Sequence, residues 1–341
     1  MCVTLALILV LVACGRPDVP GLPPGPPPTP ASYPPITFPK DEAPHADLSE
    51  WWYYTGHLGA ADGREWGFEL VVFQALRGPM PPVYVAHFAV TDRQRRIFRY
   101  EERDSREAQP QPAEGFALDV RDWRMQGRLG HDHLSAAMAE YAIELDLSTD
   151  RPPVLHDGGL VSFGPAGDSY YYSRTRMDVN GMLDDHGEQV AVRGLAWSDR
   201  QWGNFLVLGG GWDWFSLQLD DGSDLMLNLI RDAQGVTRLA YGTYVEPSGA
   251  YRHLGADRFE VASTGRWTSP RNGATYPMGW RARLLDPPLD VVLEPVLEDQ
   301  ELDTTRTTNT IYWEGASDVF GTRDGLPIRG QAYVEMTGYA R

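Results

Sequence analysis

Short stretches in which apolar and polar residues alternate recur along most of the chain. The alternation is cleanest in residues 116–121, 141–147 and 215–219. Because successive side chains of a strand point to opposite faces, a period of two predicts strands with one buried face. No long segment shows the 3.6-residue period of an amphipathic helix. The pattern therefore predicts an all-β protein.

Two further stretches, 83–90 and 225–230, are more uniformly apolar. A strand has this composition when it packs on both faces or lines an apolar cavity. We therefore expect each of these two strands either to pack on both faces or to line an apolar cavity.

Two hairpins look like copies of each other. The first begins at residues 51–54 and the second at 212–214; each has an aromatic first strand, an Asp-Gly turn and an apolar return strand. Asp-Gly suits a tight hairpin turn. Trp52 and Trp212 lie 160 residues apart, so the simplest architecture is two tandem antiparallel β-barrels related by duplication. We expect the boundary near 199–211, which separates domains 45–205 and 206–341.

The charge balance and the cysteines exclude several classes of function. With 30 Lys+Arg and 47 Asp+Glu the net charge is −17, so the protein is a poor candidate for binding nucleic acid. Lys40 is the single lysine, which rules out a phosphate-binding P-loop. Cys2 and Cys14 are the only cysteines, so the body has no disulfide or cysteine-bound metal. We expect no cofactor.

The N-terminus has the features of a bacterial lipoprotein signal peptide, predicted over residues 1–13. Its apolar run is too short to cross a bilayer and ends in a Leu-Val-Ala-Cys box. We expect Cys14 to be lipidated and to anchor the protein to the outer membrane, facing the periplasm. The proline-dense residues 14–44 are predicted to form an extended linker. A frayed apolar N-terminus on a cytoplasmic protein is the alternative.

Five aromatic motifs follow one another through the body of the chain. They are Ser-Glu-Trp-Trp-Tyr-Tyr at 49–54, Ser-Tyr-Tyr-Tyr-Ser at 169–173, Ala-Trp-Ser-Asp-Arg at 196–200, Gly-Trp-Asp-Trp-Phe at 211–215 and Tyr-Trp-Glu-Gly-Ala at 312–316. This series resembles the motifs of the AttH-like, carotenoid 1,2-hydratase-like family. The resemblance implies two tandem lipocalin-like β-barrel domains with a ligand cavity near their junction. Activities in the wider family are acid-catalysed hydration of a carotenoid double bond and, in fungal relatives, Diels–Alder cyclisation.

The same resemblance singles out Asp199. It falls where the hydratases carry their acid, and Trp197 precedes it by two residues, where they carry an aromatic. Residues two apart share a strand face, and an apolar wall would raise the pKa of the carboxyl. Tyr170 and Tyr172 are expected to reach the same cavity. Asp199 is either a catalytic acid or a structural hydrogen-bond hub, and an ion pair with Arg200 would favour the second role.

Other aromatic residues are candidates for the wall of a ligand pocket. They are Trp51, Trp202, Trp212, Trp214, Trp313 and His87. Tryptophans at alternate strand positions suit core packing as well, and a mid-strand histidine suits a buried hydrogen-bonded role. Glu314 is expected to pair with a buried arginine. The His-Asp-His triplet at 131–133 is interpreted as a solvated loop, since no third metal ligand is placed by the sequence.

Two classes of function remain after these exclusions. The first is a cofactor-independent enzyme, hydratase-like or cyclase-like, that transfers protons to a hydrophobic or polyene substrate. The second is a non-catalytic carrier of a hydrophobic small molecule. A weaker third is a glycan-binding lipoprotein, suggested by the 11 tryptophans. Exposed aromatic platforms would favour a glycan, and enclosed aromatics would favour an apolar ligand.

Overall fold

The computed structural model describes residues 33–76, 80–163, 166–205 and 210–340. These residues form twenty-one strands and one short 3-10 helix, Lys40–Glu42. Within these ranges, no helix has the length and apolar character that crossing a membrane requires. Cys14 and the predicted signal peptide lie outside the described residues.

Eleven strands build the first antiparallel sheet. They are β1 (Ser49–Ala60), β2 (Glu65–Ala75), β3 (Val83–Asp92), β4 (Ile97–Ser105), β5 (Phe116–Val120), β6 (Trp123–Arg128), β7 (His131–Ala137), β8 (Tyr141–Ser148), β9 (Val154–Ser162), β10 (Asp168–Asp185) and β11 (Glu188–Gly203). Their order is β4-β3-β2-β1-β11-β10-β8-β7-β6-β5, and β9 pairs with β10. β1 pairs with both β2 and β11, so it lies inside the sheet. The two ends of the sheet, β4 and β5, contact each other, which gives a nearly closed barrel.

Ten strands build the second antiparallel sheet. They are β12 (Trp212–Leu219), β13 (Asp224–Arg231), β14 (Thr237–Val245), β15 (Tyr251–Gly255), β16 (Phe259–Thr268), β17 (Thr275–Leu284), β18 (Leu289–Pro295), β19 (Glu301–Thr304), β20 (Thr310–Arg323) and β21 (Leu326–Thr337). Their order is β15-β14-β13-β12-β21-β20-β18-β17-β16, and β19 pairs with β20.

The two sheets repeat one connection plan. β12 lies between β13 and β21 as β1 lies between β2 and β11. The two similar hairpins of the sequence are β1–β2 and β12–β13, the central strands of their sheets. The prediction of an all-β protein made of two tandem antiparallel barrels is confirmed.

The interior of each barrel is filled with side chains. Along β1, Trp52 and Tyr54 point inward and are almost fully buried, whereas Trp51 and Tyr53 point outward. In the second barrel Trp280 and Trp313 occupy the equivalent interior. Burying an aromatic side chain of this size contributes about 2–3 kcal/mol. Side chains thus fill the interiors of both barrels.

The two barrels dock through the outer faces of their central strands. A third apolar cluster, which includes Tyr53, Val71 and Trp214, fills this junction. The sheets approach so closely at Gly67 that a Cβ there would lie 2.8 Å from the Ala316 Cβ. This double-sided packing explains why the central strands are apolar on both faces.

The end of the predicted proline-rich linker is part of the folded body. Phe38 packs edge-on against Tyr172 at 4.9 Å between ring centroids. The Glu42 carboxylate is buried, accepts a 2.8 Å hydrogen bond from Arg174 and caps the backbone N–H of Leu129. The prediction of a linker as far as residue 44 is therefore wrong for the described residues from 33 onward, because specific side chains within it hold it to the first barrel.

Candidate functional site

A cavity of about 70 Å³ lies between the two barrels. β1, β2, β10 and β11 line it from the first sheet, and β12, β13, β20 and β21 line it from the second. Its partly exposed mouth is aromatic and includes Trp51, Phe73, Phe163 and Trp212. Deeper inside, the lining carries carboxyl groups. The site thus has an aromatic mouth and, deeper inside, an acidic floor formed by the carboxyl groups of Asp199, Glu335 and Glu69.

Asp199 lines this cavity and is 4% exposed. Its carboxyl accepts hydrogen bonds from Tyr171 Oη at 2.5 Å, from Trp197 Nε1 at 2.7 Å and from Ser173 Oγ. Burial raises the pKa of Asp199 to about 6, and the three donors oppose that rise by stabilising the anion.

Arg200 takes no part in this site. Neighbouring residues of a strand point to opposite faces, so Arg200 lies on the inner side of the first barrel. There it donates to Glu50 at 2.9 Å and stacks 4.1 Å from the Trp52 ring. The carboxyl of Asp199 is therefore free of any arginine partner within the described residues.

The expectation that Tyr170 and Tyr172 reach the cavity is wrong. In the pairing of β10 with β11, Ser173 lies opposite Asp199 and Tyr171 lies opposite Gln201. Tyr171 and Ser173 therefore share the outer face with Asp199. A displacement of one residue along a strand exchanges the faces, which is why the neighbouring tyrosines point away.

Trp202 lies on that inner side as well, so its assignment to the ligand pocket is also corrected. Its ring stacks on Tyr170 at 5.1 Å and on His45 at 4.2 Å. Tyr172 packs on its edge at 6.1 Å. These four rings hold the 33–48 segment to the barrel.

The structure places the other candidate residues in two groups. Trp51, Trp212 and Trp214 line the cavity. Trp313 is buried in the second barrel and donates to the Glu298 carbonyl at 2.7 Å, so it does not line the cavity. Trp197 does not line the cavity, but it donates a hydrogen bond to Asp199, which does.

His87 is a buried core histidine whose two ring nitrogens both have hydrogen-bond partners; it lies next to the cavity without lining it. Its Nδ1 lies 2.8 Å from Tyr312 Oη and its Nε2 lies 3.2 Å from Thr307 Oγ1. Burial lowers the pKa of His87 to about 3, so the ring is neutral at physiological pH. It positions the Tyr312 hydroxyl, which lines the cavity.

Glu335 is a cavity carboxyl that sequence reasoning did not identify. Trp212 Nε1 donates to its Oε2 at 2.9 Å. Burial raises the pKa of Glu335 to about 7, and the nearby charge of Asp199 adds to the rise. Among the described residues Glu335 has one hydrogen-bond donor, against three for Asp199, so its carboxylate form is less stabilised by hydrogen bonds.

Of two further buried glutamates, one lines the cavity and the other lies outside its lining. Glu69 lines the cavity and accepts a 3.0 Å hydrogen bond from Tyr312, and Glu314 accepts a 2.8 Å bond from Tyr53. Burial is the main cause that raises the pKa of both groups well above the usual range. The expected ion pair of Glu314 with an arginine is wrong: its hydrogen bond is to a phenol, and no described arginine contacts it.

The strand pairing shows that Asp199 and Glu335 are equivalent in the two repeats. Asp199 lies opposite Tyr53 of β1, and Glu335 lies opposite Trp214 of β12. By the same pairing Tyr171 corresponds to Tyr312. The hairpins align with an offset of 161 residues, which matches Trp51 with Trp212, and not with the expected 160. Asp199 and Glu335 lie 136 residues apart, so only the strand pairing reveals that they are equivalent.

The His-Asp-His triplet is part of strand β7, so its interpretation as a loop is wrong. His133 lies 2.8 Å from Asp146 and 2.7 Å from Glu144. The alternation of a strand turns Asp132 inward, where it accepts a bond from Tyr54. Nowhere in the described ranges do three His, Cys, Asp or Glu side chains form a group that could hold a metal ion.

Comparisons with known proteins agree with this architecture. The AttH-like family profile matches residues 29–339. A crystal structure of a protein from Nitrosomonas europaea assigned as AttH superimposes with a TM-score of 0.81 at 30% identity, and covers 92% of this chain and 99% of that one. The chain therefore belongs to the AttH-like family.

Kievitone hydratases are among its relatives. The enzyme from Fusarium solani subsp. phaseoli is 24% identical over 189 residues, which is 52% of this chain and 51% of that protein. The match thus spans about half the length of each. The crystal structure of kievitone hydratase from Nectria haematococca has a TM-score of 0.73 at 18% identity, covering 90% and 94% of the two chains; at that identity the likeness concerns the fold.

Proposed function

We propose that the protein binds a hydrophobic alkene in the cavity between its barrels and adds water to it, or removes water, by proton transfer between carboxyl groups. The observation that carries the proposal is the lining of the cavity. Asp199, Glu335 and Glu69 face an aromatic enclosure in which no described lining residue is a lysine, arginine or histidine. Such surroundings raise the pKa of a carboxyl, so near neutral pH one carboxyl can keep its proton and act as an acid while its neighbour is ionised and acts as a base.

The different surroundings of the two equivalent carboxyls assign their roles. Glu335, with one donor, keeps its proton more readily and is the acid that protonates the alkene carbon. Asp199, with three donors, is the more stable anion and is the base that takes a proton from the attacking water. After turnover Glu335 is ionised and Asp199 protonated, and return of that proton restores the starting state.

The aromatic wall supports the charge that develops between these two steps. Protonation of an alkene leaves a carbocation, and the faces of Trp51, Trp212 and Trp214 carry negative potential that stabilises a nearby cation. The same wall excludes bulk water, so that the nucleophile is the water held by the base. The relatives named kievitone hydratase make this reaction class the natural first choice.

Incorporation of heavy oxygen tests the proposal. The protein is incubated with kievitone, geraniol and lycopene in H₂¹⁸O, and the products are analysed by mass spectrometry. We expect an ¹⁸O-labelled alcohol from at least one of them, and its loss in Asp199→Asn and Glu335→Gln while quenching of tryptophan fluorescence still reports binding. Binding without label in the wild type would instead assign the protein as a carrier.

The enclosure of the aromatics favours an apolar ligand over a glycan. All eleven tryptophans belong to the described residues, and none of them is among the exposed large apolar side chains. A glycan platform needs an open aromatic face on which a sugar ring can stack. We therefore do not retain the glycan-binding alternative.

We further propose that a lipid on Cys14 anchors the protein to the outer membrane, facing the periplasm. The Leu-Val-Ala-Cys box and the proline-dense stretch that follows it support this proposal. Cys14→Ser should move the protein from the membrane fraction to the soluble fraction and abolish labelling by a palmitate analogue. Retention of the variant in outer membranes would contradict the anchor.

A further inference from the structure

Two residues that line the cavity carry buried polar atoms with no hydrogen-bond partner among the described residues. Asn228 lines the cavity and is 8% exposed; its Oδ1 has no hydrogen-bond partner, whereas its Nδ2 donates to Tyr241 Oη at 3.1 Å. Glu69 Oε2 is likewise buried without a partner. A buried polar atom left unpaired is costly, so native proteins rarely retain one without a reason. A hydrogen-bonding group of a molecule bound in the cavity would satisfy them.

The repeat shows that Asn228 is not required by the fold. The pairing of β12 with β13 places Asn228 opposite Trp214, as Val71 lies opposite Tyr53 in the pairing of β1 with β2. An apolar residue therefore fills the equivalent position of the first barrel. An asparagine at this place in the second barrel adds a polar group to the apolar middle of β13, and its buried Oδ1 has no partner among the described residues.

The charges around the cavity restrict the class of ligand. An anionic head group would face Asp199, Glu335 and Glu69 without a cation in the described lining, and burying an unpaired charge is strongly unfavourable. Fatty acids and phospholipids are thereby excluded. A charged amine would lose its hydration in the enclosure, and Asp199, the carboxylate that could pair with it, already accepts hydrogen bonds from three protein donors.

A hydroxyl group meets these requirements best. It donates to the free Asn228 oxygen, and because it also accepts, it suits either orientation of the amide. We infer that the natural ligand is an uncharged, largely apolar molecule with a hydroxyl group that hydrogen-bonds to Asn228. The inference rests on the proposed function for the location of the site, and it adds the class of ligand that the site selects.

Matched ligands with one carbon skeleton test this inference. Geraniol, geranic acid, geranylamine and the hydrocarbon myrcene are titrated into the full-length protein at pH 7.5, and tryptophan quenching is followed. We expect geraniol to bind at least about tenfold more tightly than each of the other three, as one satisfied hydrogen bond and the avoidance of a buried charge require.

The variant Asn228→Leu has nearly the same volume and removes the amide. It should weaken geraniol binding about tenfold and leave myrcene binding unchanged. Asn228→Val repeats the test with the residue type of the first barrel, and Asn180→Leu, on an exposed strand position, is the matched control that should change neither. Thermal unfolding confirms that each variant is folded.

Several results would overturn the inference. They are tighter binding of the acid or the amine, equal binding of geraniol by Asn228→Leu and Asn228→Val, and no binding of any of the four ligands. The proposed hydration fails separately: geraniol binding that depends on Asn228, with no ¹⁸O incorporated into any alkene, would leave the ligand class standing. Conversely, ¹⁸O labelling of a charged alkene alone would support the proposed hydration and contradict the inferred class of ligand.

Discussion

Asp199 and Glu335 occupy the same position in the two repeats and face one cavity, yet they have different hydrogen-bond partners. Tyr171, Ser173 and Trp197 donate to Asp199, whereas Trp212 alone donates to Glu335. Burial raises both pKa values, to about 6 and about 7. Duplication of a barrel has thus produced two carboxyls of unequal acidity at one interface, as an acid–base pair requires.

The pH dependence of hydration should show both groups. The rate should rise as Asp199 ionises near pH 6 and fall as Glu335 loses its proton near pH 7, which gives a narrow optimum between these values. Asp199→Asn should reduce the rate about 10²–10⁴-fold and remove the acidic limb, and Glu335→Gln should do the same to the basic limb. A profile with one limb in the wild type would contradict the division of roles.

Tyr171→Phe should move the acidic limb to higher pH. The variant loses a hydrogen bond that stabilises the Asp199 carboxylate, so the pKa of Asp199 rises further. The measurement is the pH profile, supported by ¹³C NMR titration of the carboxyl. Tyr172→Phe is the matched control, since that ring lies on the other face of β10 and should leave the profile unchanged. An equal shift in both variants would refute the assignment of faces.

The free energy of unfolding should depend on pH through the carboxyl of Asp199. Burial raises the pKa of Asp199 from 3.8 to about 6, so the folded state binds its proton more tightly than the unfolded state. The contribution of protonated Asp199 to the free energy of unfolding is fully present below pH 3.8 and is lost as the pH rises through 6. The free energy of unfolding of the wild type relative to Asp199→Asn should fall over this range by on the order of 3 kcal/mol. A pH-independent difference between the two proteins would mean that the pKa is not raised.

The 33–48 segment should contribute measurably to stability. Glu42→Ala leaves the buried Arg174 without its partner, and breaking such a pair costs about 3–5 kcal/mol. The midpoint of denaturant unfolding should fall accordingly. Glu114→Ala, which removes a partner of Arg128 in a half-exposed pair, is the control and should cost less than about 1 kcal/mol. Equal effects of the two substitutions would show that the segment is not held by Glu42.

The sequence predicted the strands and the duplication because alternation and turn residues are local signals. A cavity near the junction was expected from the family resemblance. Of the two uniformly apolar stretches, 225–230 contributes Asn228 and Ile230 to the cavity lining, whereas no residue of 83–90 does. The sequence did not predict the register in which β10 pairs with β11. The tyrosines at 170–172 are identical in type, so only the pairing of β10 with β11 decides that Tyr171 reaches Asp199.

Contacts between residues that are distant in the sequence could not be predicted either, because they depend on how the strands and barrels are arranged in space. Glu314 bonds to Tyr53 across the junction of the two barrels, and Glu42 reaches Arg174 from the preceding segment. Neither contact leaves a mark on the local pattern. Arg200 adjoins Asp199 in sequence and lies on the other face of the sheet, which shows that proximity along a strand is a poor guide to ion pairing.

A crystal structure of the protein with bound geraniol tests most directly that the functional site lies between the barrels. We expect the ligand among Trp51, Trp212 and Trp214, with its hydroxyl within hydrogen-bond distance of Asn228 and its double bond facing Asp199 and Glu335. Ligand density inside either barrel, behind Trp52 or Trp280, would contradict this location and the acid–base pair with it.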